Sequence, residues 1–313
     1  MPTLKEQLSR FADSSSSHLP LPGAGHTAER LEALARWGAI DLSFARMAEA
    51  HTDALAILDE CGHTPRRGAL YGVWASDAPP SCVTCEHLPN GEWRIDGIKQ
   101  FCSGALLVDA ALVTARHPDG VLLFDLPVKH SGVLAQPSAW ASPAFADTAT
   151  TAVEFHGLTV PDQNRLGEAG WYLERPGFWH GSIGPAACWA GGARCLIEAA
   201  AHVNRGDPHS RAHVGALQAS AWGFHAILEQ AGREIDADAK DSSGTARSRG
   251  LMVRHLIERA CAEVLDRFPR AIGPHLLAYD PHIVRQHQAL TLYMLQCHGE
   301  RDLAAIPATG ETR

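Results

Sequence analysis

The chain has 313 residues, 27 Lys+Arg against 35 Asp+Glu, and a formal net charge of −8. Hydrophobic residues at 45% and charged residues at 20% describe a folded chain long enough for two domains, not a disordered one. An acidic chain without a basic stripe repels phosphate backbones, so nucleic acid is not expected as a partner.

Residues 1–26 read as a flexible N-terminal segment: a short amphipathic piece, a serine run, then LPLPGAG. The PGAGH stretch around Gly23 follows no strand and lacks the six-residue glycine pattern, so it is no dinucleotide loop. No uninterrupted apolar run forms a signal peptide, and no stretch reaches the roughly 20 apolar residues that span a bilayer. The expected location is the cytoplasm. From Thr27, a candidate helix cap, an abbreviated helical domain runs over 27–69. Leu31, Leu34 and Ala35 start one apolar stripe; Phe44, Met47, Ala48, Leu55 and Leu58 continue a second. Gly62 and Pro65 end it.

The period then changes. CVTCEHL, EWRIDGIKQF, AALVTAR, VLLFDLPV and TTAVEFHGLTV are short, β-rich and bounded by turn residues. Asn90-Gly91 and Asp119-Gly120 suit hairpin turns. No helix-length segment separates these runs, which predicts an antiparallel barrel or sandwich over 70–165. Cys82-x-x-Cys85 with His87 has metal-like spacing but no second ligand pair, so it reads as an exposed hairpin with two thiols and no metal is expected. The other six cysteines stand singly among apolar neighbours, as reduced core thiols do.

Residues 175–305 turn helical again, with four long candidates: PAACWAGGARCLIEAAAHV, HVGALQASAWGFHAILEQAGREID, ARSRGLMVRHLIERACAEVLDRF and DPHIVRQHQALTLYMLQCHGERDLAAI. Short Gly/Pro/Ser connections between them predict a four-helix bundle, with 306–313 as a tail. The fold class is α+β, in the order α, β, α. At the entry to the bundle, PGFWHGSIG places Gly177, Gly181 and Gly184 around Phe178, Trp179 and His180. His180 is a candidate proton acceptor there. HGERD near the end groups His298, Glu300, Arg301 and Asp302; on a helix, His298 and Asp302 share a face, and a His–carboxylate pair can orient a base.

WRIDGIKQFCSGALLVDAALVTAR, TTAVEFHGLTVPDQNRLGEAGWYL and the small-residue helix from Pro185 together resemble the acyl-CoA dehydrogenase superfamily, as a divergent and short member. The resemblance covers roughly Leu70 to Asp302 and implies a flavoprotein with a helical start, a β domain and a C-terminal bundle. It implies FAD, with Phe101 flanking the isoalloxazine, Ser103 near N5 and Cys102 between them. Trp74 would stand on the strand that meets the pyrimidine edge, where the family often has a hydroxyl residue. Arg205 or Arg211 would reach the pyrophosphate, although the family's Phe-Gly and Gln-x-x-Gly-Gly elements have no match.

The implied activity is α,β-desaturation of an acyl-CoA or carrier-bound acyl thioester, with hydride passing to flavin N5, in a homodimer or homotetramer. The family's Glu-Gly-Thr base is missing, which leaves His180, His298 and Glu300 as catalytic candidates. That gap and the 18 histidines also admit flavin-dependent monooxygenation on the same fold. A flavin-free binding or assembly module is the third alternative.

Overall fold

The structure is a computed structural model that describes residues 2–77, 79, 82–203 and 206–306. It divides into two units: Met1–His18 with Met47–Phe178, and Leu19–Arg46 with Trp179–Arg313.

The first unit begins with helix α1 (Leu4–Ala12), where a flexible segment was expected. Thr3 and Glu6 form a capping box, and Leu4, Leu8 and Phe11 share one buried face. The serine run continues as a single 3-10 turn, Ser15–Ser17, with the Ser17 hydroxyl on the Ser14 carbonyl at 2.7 Å. Hydroxyls that bond their own backbone order a run that composition alone calls a linker.

After α2 (Thr27–Ile40), the unit boundary passes through α3 (Leu42–Glu60). The 27–69 domain expected from the sequence is thus divided between the units. The strands are β1 (Tyr71–Trp74), β2 (Val83–His87), β3 (Glu92–Cys102), β4 (Ala110–His117), β5 (Gly120–Pro127), β6 (Val133–Ala135), β7 (Thr151–Pro161) and β8 (Arg165–Leu166). Both expected hairpins form, β2–β3 across Asn90-Gly91 and β4–β5 across Asp119-Gly120, with positive φ at each glycine.

The sheet is mixed, which corrects the antiparallel expectation. Its order is β6-β7-β3-β2-β4-β5-β8, with β1 on β4. Tyr71–Trp74 and then Thr84 pair with successive stretches of one β4 edge, both in parallel. The β2–β3 hairpin itself supplies the crossover that parallel pairing needs, so no helix is required. Ala54, Ile57 and Leu58 of α3 pack with Tyr71, Leu112, Leu123 and Leu166. Each fully buried aliphatic side chain there is worth about 1.5–3 kcal/mol. Within this core His51 is also buried; its Nδ1 accepts the Tyr71 N–H at 3.1 Å. Burial, with His18 adding, lowers its pKa to about 4. Cys85 is buried too, not exposed as expected, because β2 turns Val83 and Cys85 to one face.

Two short helices follow, α4 (Trp171–Glu174) and α5 (Pro176–Gly181), and then the long ones, α6 (Gly184–Val203), α7 (Pro208–Ala237) and α8 (Ala246–Ile272). Asp207 caps α7 through the amides of His209 and Ser210, and Gly273 at φ +72° stops α8. The last expected long helix is broken. α9 (His275–Tyr279) and α10 (Pro281–Tyr293) precede a 3-10 turn, and α11 (Glu300–Ala304) restarts after Gly299 at φ +54°. The helical unit is more than a four-helix bundle, since α2 packs among α6 and α7. Thr27 does not cap α2 with its own hydroxyl. Asp236 of α7 does so instead, accepting from the amides of Gly25 and Thr27 and from the Thr27 hydroxyl.

Candidate functional site

Four of the sequence-predicted residues come together in the sheet unit, where β1 and β3 end. Between Lys99↔Val153 and Cys102↔Thr151 the β3 register slips by one residue, a bulge that bends the strand. Phe101 takes φ +56° and is 58% exposed, while Cys102 turns inward. The Cys102 thiol bonds the Lys99 carbonyl at 3.3 Å, and burial pushes its pKa up to about 12. Its side chain is therefore a core group, unlike its neighbours Phe101 and the half-buried Ser103.

Trp74 is buried, and its indole N–H donates to the Ser103 carbonyl at 2.9 Å. A Cβ at residue 72 would lie 2.9 Å from that indole nitrogen, so Gly72 leaves room for the ring. The departure from a hydroxyl residue at position 74 thus braces the Phe101–Ser103 turn, and the single indole donor is used inside the protein. Behind the turn lies Lys99, buried, with Nζ donating to Thr114 Oγ1 at 2.9 Å and lying 3.5 Å from Asp77. Burial lowers its pKa against the opposing pull of Asp77.

A second segment completes this face, one that sequence reasoning did not single out. Phe145 and Ala149 have φ +59° and +48°. With Phe101 they are three of the four non-glycine residues of positive φ among the described residues. Such backbone costs of order 1 kcal/mol or more per residue and persists where the surroundings over-determine it. The Gly104 amide donates to the Thr148 carbonyl at 2.9 Å, which ties the two turns together. Thr148 Oγ1 donates to the Phe145 carbonyl and touches Thr150 Oγ1, each at 2.8 Å, and Thr150 Oγ1 donates to Ser103 Oγ at 3.3 Å. The signal in the sequence was the Thr148-Ala149-Thr150-Thr151 run, whose hydroxyls look like ordinary strand threonines.

The other predicted residues belong to the helical unit. His180 is buried, and its Nε2 donates to the Ala239 carbonyl at 3.0 Å. With Nε2 donating to a carbonyl, the lone pair that could accept a proton lies on Nδ1. Arg211 is exposed in the first turn of α7; Arg205 lies outside the described residues. His298 does not share a helix face with Asp302, because it precedes α11. Its amide donates to Asp302 Oδ2 at 3.0 Å, and its Nδ1 lies 3.5 Å from Asp302 Oδ1. Glu300 is exposed on the five-residue α11. Among the described residues no group of three or more His, Cys, Asp or Glu is placed to hold a metal ion. Among them, too, no helix is long and apolar enough to cross a membrane.

Neither a family model nor a curated protein matches the sequence. Solved structures do match the fold. Methanesulfinate monooxygenase MsuC from Pseudomonas fluorescens has a TM-score of 0.79 at 18% identity, covering 98% of this chain and 92% of its own. FMN-bound TdsC from Paenibacillus sp. A11-2, a dibenzothiophene monooxygenase, has 0.77 at 19% identity, covering 97% and 86%. A nitrososynthase from Micromonospora carbonacea var. africana has 0.76 at 19% identity, covering 96% and 87%. The resemblance seen in the sequence holds at the level of architecture: this chain has the acyl-CoA dehydrogenase-like fold of these proteins.

Proposed function

We propose that the protein is a flavin-dependent monooxygenase that takes up reduced flavin. The observation that carries the flavin is the face at Phe101–Ser103. An exposed phenyl ring on left-handed backbone and a hydroxyl held by a hydrogen-bond chain offer a flat ring system an apolar face and a polar edge contact. Those residues fit the group, which when bound supplies two-electron chemistry. Phe101 would flank it, Ser103 would bond its edge, and Trp74 would hold the turn through the Ser103 carbonyl.

FMN suits the chain better than the FAD implied by the family resemblance. The family's Phe-Gly and Gln-x-x-Gly-Gly elements, which accompany the pyrophosphate and adenine contacts, have no match here, and the structure neighbours include FMN-bound chains. Oxygenation is favoured over acyl desaturation for a related reason. Desaturation needs a positioned base, yet the family's Glu-Gly-Thr element is missing from the sequence and Glu300 is exposed on α11. Two of the neighbours described above are themselves monooxygenases. In the proposed reaction one atom of O2 enters a heteroatom-bearing substrate and the other leaves as water, with two electrons from reduced flavin and two protons.

The test is oxygen uptake with a panel of sulfur and nitrogen compounds and supplied reduced FMN. Uptake that depends on substrate, with the oxygenated product found by mass spectrometry, is the expected result. Bleaching of bound flavin by an acyl-CoA under anaerobic conditions, without added reductant, would replace this reading with desaturation. A protein that retains neither FMN nor FAD would leave the binding-module alternative.

A further inference from the structure

His51 of α3 is 2% exposed, and its Nδ1 accepts the Tyr71 N–H at 3.1 Å. The proton of the neutral ring is therefore on Nε2, and that nitrogen has no hydrogen-bond partner among the described residues. A second proton would have to go on Nδ1, where it would face the Tyr71 N–H, donor against donor. The imidazolium would thus hold two N–H groups with no acceptor for either, the costly case for a buried charge.

Two elements cover the ring. From β1 the Tyr71 ring stacks on it at 6.4 Å between centroids, and from α1 the Phe11 ring meets it edge-on at 5.8 Å. Met47, Ala48, Ala54 and Leu55, one turn away along α3, are apolar. Among the described residues the charge that acts on His51 is that of His18, which follows the Ser15–Ser17 turn and has the same sign. The two covers are not equally held. Tyr71–Trp74 pairs with Ala110–Val113 of β4, and the Tyr71 hydroxyl accepts the Arg66 amide at 2.9 Å and donates to Asp125 at 3.4 Å. Helix α1 has nine residues, too short to hold its shape alone in water, and it docks through the apolar face of Leu4, Leu8 and Phe11. Short terminal elements open at a lower free energy than the sheet they lie on.

We infer that α1 with the Ser15–Ser17 turn is an acid-released cover: protonation of His51 lifts this segment off α3 while the sheet stays folded, and so gives both imidazole N–H groups to water. The lifted segment ends at His18, where the chain passes into the other unit. The direction follows from the neutral ring fitting under the cover and the charged ring not fitting.

The experiment is hydrogen–deuterium exchange of the full-length protein at pH 7 and pH 5, corrected for the intrinsic exchange rate, on wild type, His51→Gln and His51→Phe. In wild type the α1 amides are expected to exchange through a less costly opening than those of β4 and β5, and that opening should be about twentyfold more populated at pH 5. The factor follows from a His51 pKa of about 4 under the cover and near 6.5 in water. Neither variant can take up the proton, so α1 should lose its pH dependence in both, and either one suffices if the other disturbs the fold. Wild-type α1 that opens only together with β4 and β5, or equally at both pH values, would overturn the acid-released cover. An unchanged rise in the variants would overturn the role of His51.

Discussion

The helical unit and the sheet unit differ in what their special backbone positions do. In the helical unit the special positions are glycines that let helices touch backbone to backbone. A Cβ on Gly191 of α6 would lie 2.0 Å from the Ala35 carbonyl, and one on Gly38 of α2 would lie 2.3 Å from the Cys188 carbonyl. In the sheet unit the special positions Phe101, Phe145 and Ala149 are not glycines, yet all three have left-handed φ. They border Ser103, Thr148 and Thr150. The fourth such residue, Asp241, lies in the helical unit; positive φ on a residue with a side chain is strain that the surrounding structure holds in place.

The largest effect that would sharpen this contrast is at the helix contact. Gly191→Val should cost about 3 kcal/mol or more, because the Ala35 carbonyl is backbone and cannot step aside. Urea unfolding followed by circular dichroism reads this directly. A variant as stable as wild type would mean that α2 and α6 are not in backbone contact.

Second in size is the buried histidine of the sheet unit. His51 titrates at about 4 when folded and near 6.5 when unfolded, so between these values the unfolded chain holds the extra proton. Stability should therefore fall as pH drops from about 6.5 to about 4 and flatten below, for a total of about 3 kcal/mol. Carboxylates titrate in the same window, so the difference between wild type and His51→Phe across pH 4–7 isolates the histidine. An unchanged slope in the variant would show that His51 is solvated.

A smaller effect tests the brace within the site. Trp74→Phe removes the indole donor to the Ser103 carbonyl and leaves a cavity where the second ring stood, for a loss of about 2 kcal/mol. It should also weaken FMN binding, whereas an ordinary core tryptophan would alter only the melting temperature. The smallest effect is a gain. Gly223 lies inside α7 with open space where a Cβ would go, so Gly223→Ala should stabilise the chain by about 0.5–1 kcal/mol. A loss there would mean that this helix face is covered in solution.

Much of the fold could be read in the sequence because its signals are local. The helical stretches of α6 and α8, the Gly206-Asp207-Pro208 break before α7 and the two hairpin turns are each local signals, although α7 starts at Pro208, earlier than the expected His213. The ordered N-terminus escaped because serine runs are flexible on average, and here Ser17 finds a carbonyl at close range. The helical end was overextended because Gly299 in a periodic stretch is a weak breaker until its φ is known. At the proposed site, Phe101 and Ser103 come from the resemblance carried by the GIKQFCSGA stretch, and the structure adds the Trp74 bond to the Ser103 carbonyl. Thr148 and Thr150 were not legible, because a threonine's hydrogen-bond partner in another segment leaves no trace in spacing.

The order of helical and β regions, their turns and the aromatic–hydroxyl segment at the end of β3 follow from local sequence. Periodicity, turn preference and capping act over a few residues, so the chain carries them wherever it goes. Only the tertiary structure decided that β1 and β2 pair in parallel along one edge of β4, that α2 joins the C-terminal helices, and that two threonines stand behind Ser103. Those outcomes depend on which distant segments meet, and that is settled by burial and hydrogen-bond satisfaction over the whole chain rather than by the preference of any residue.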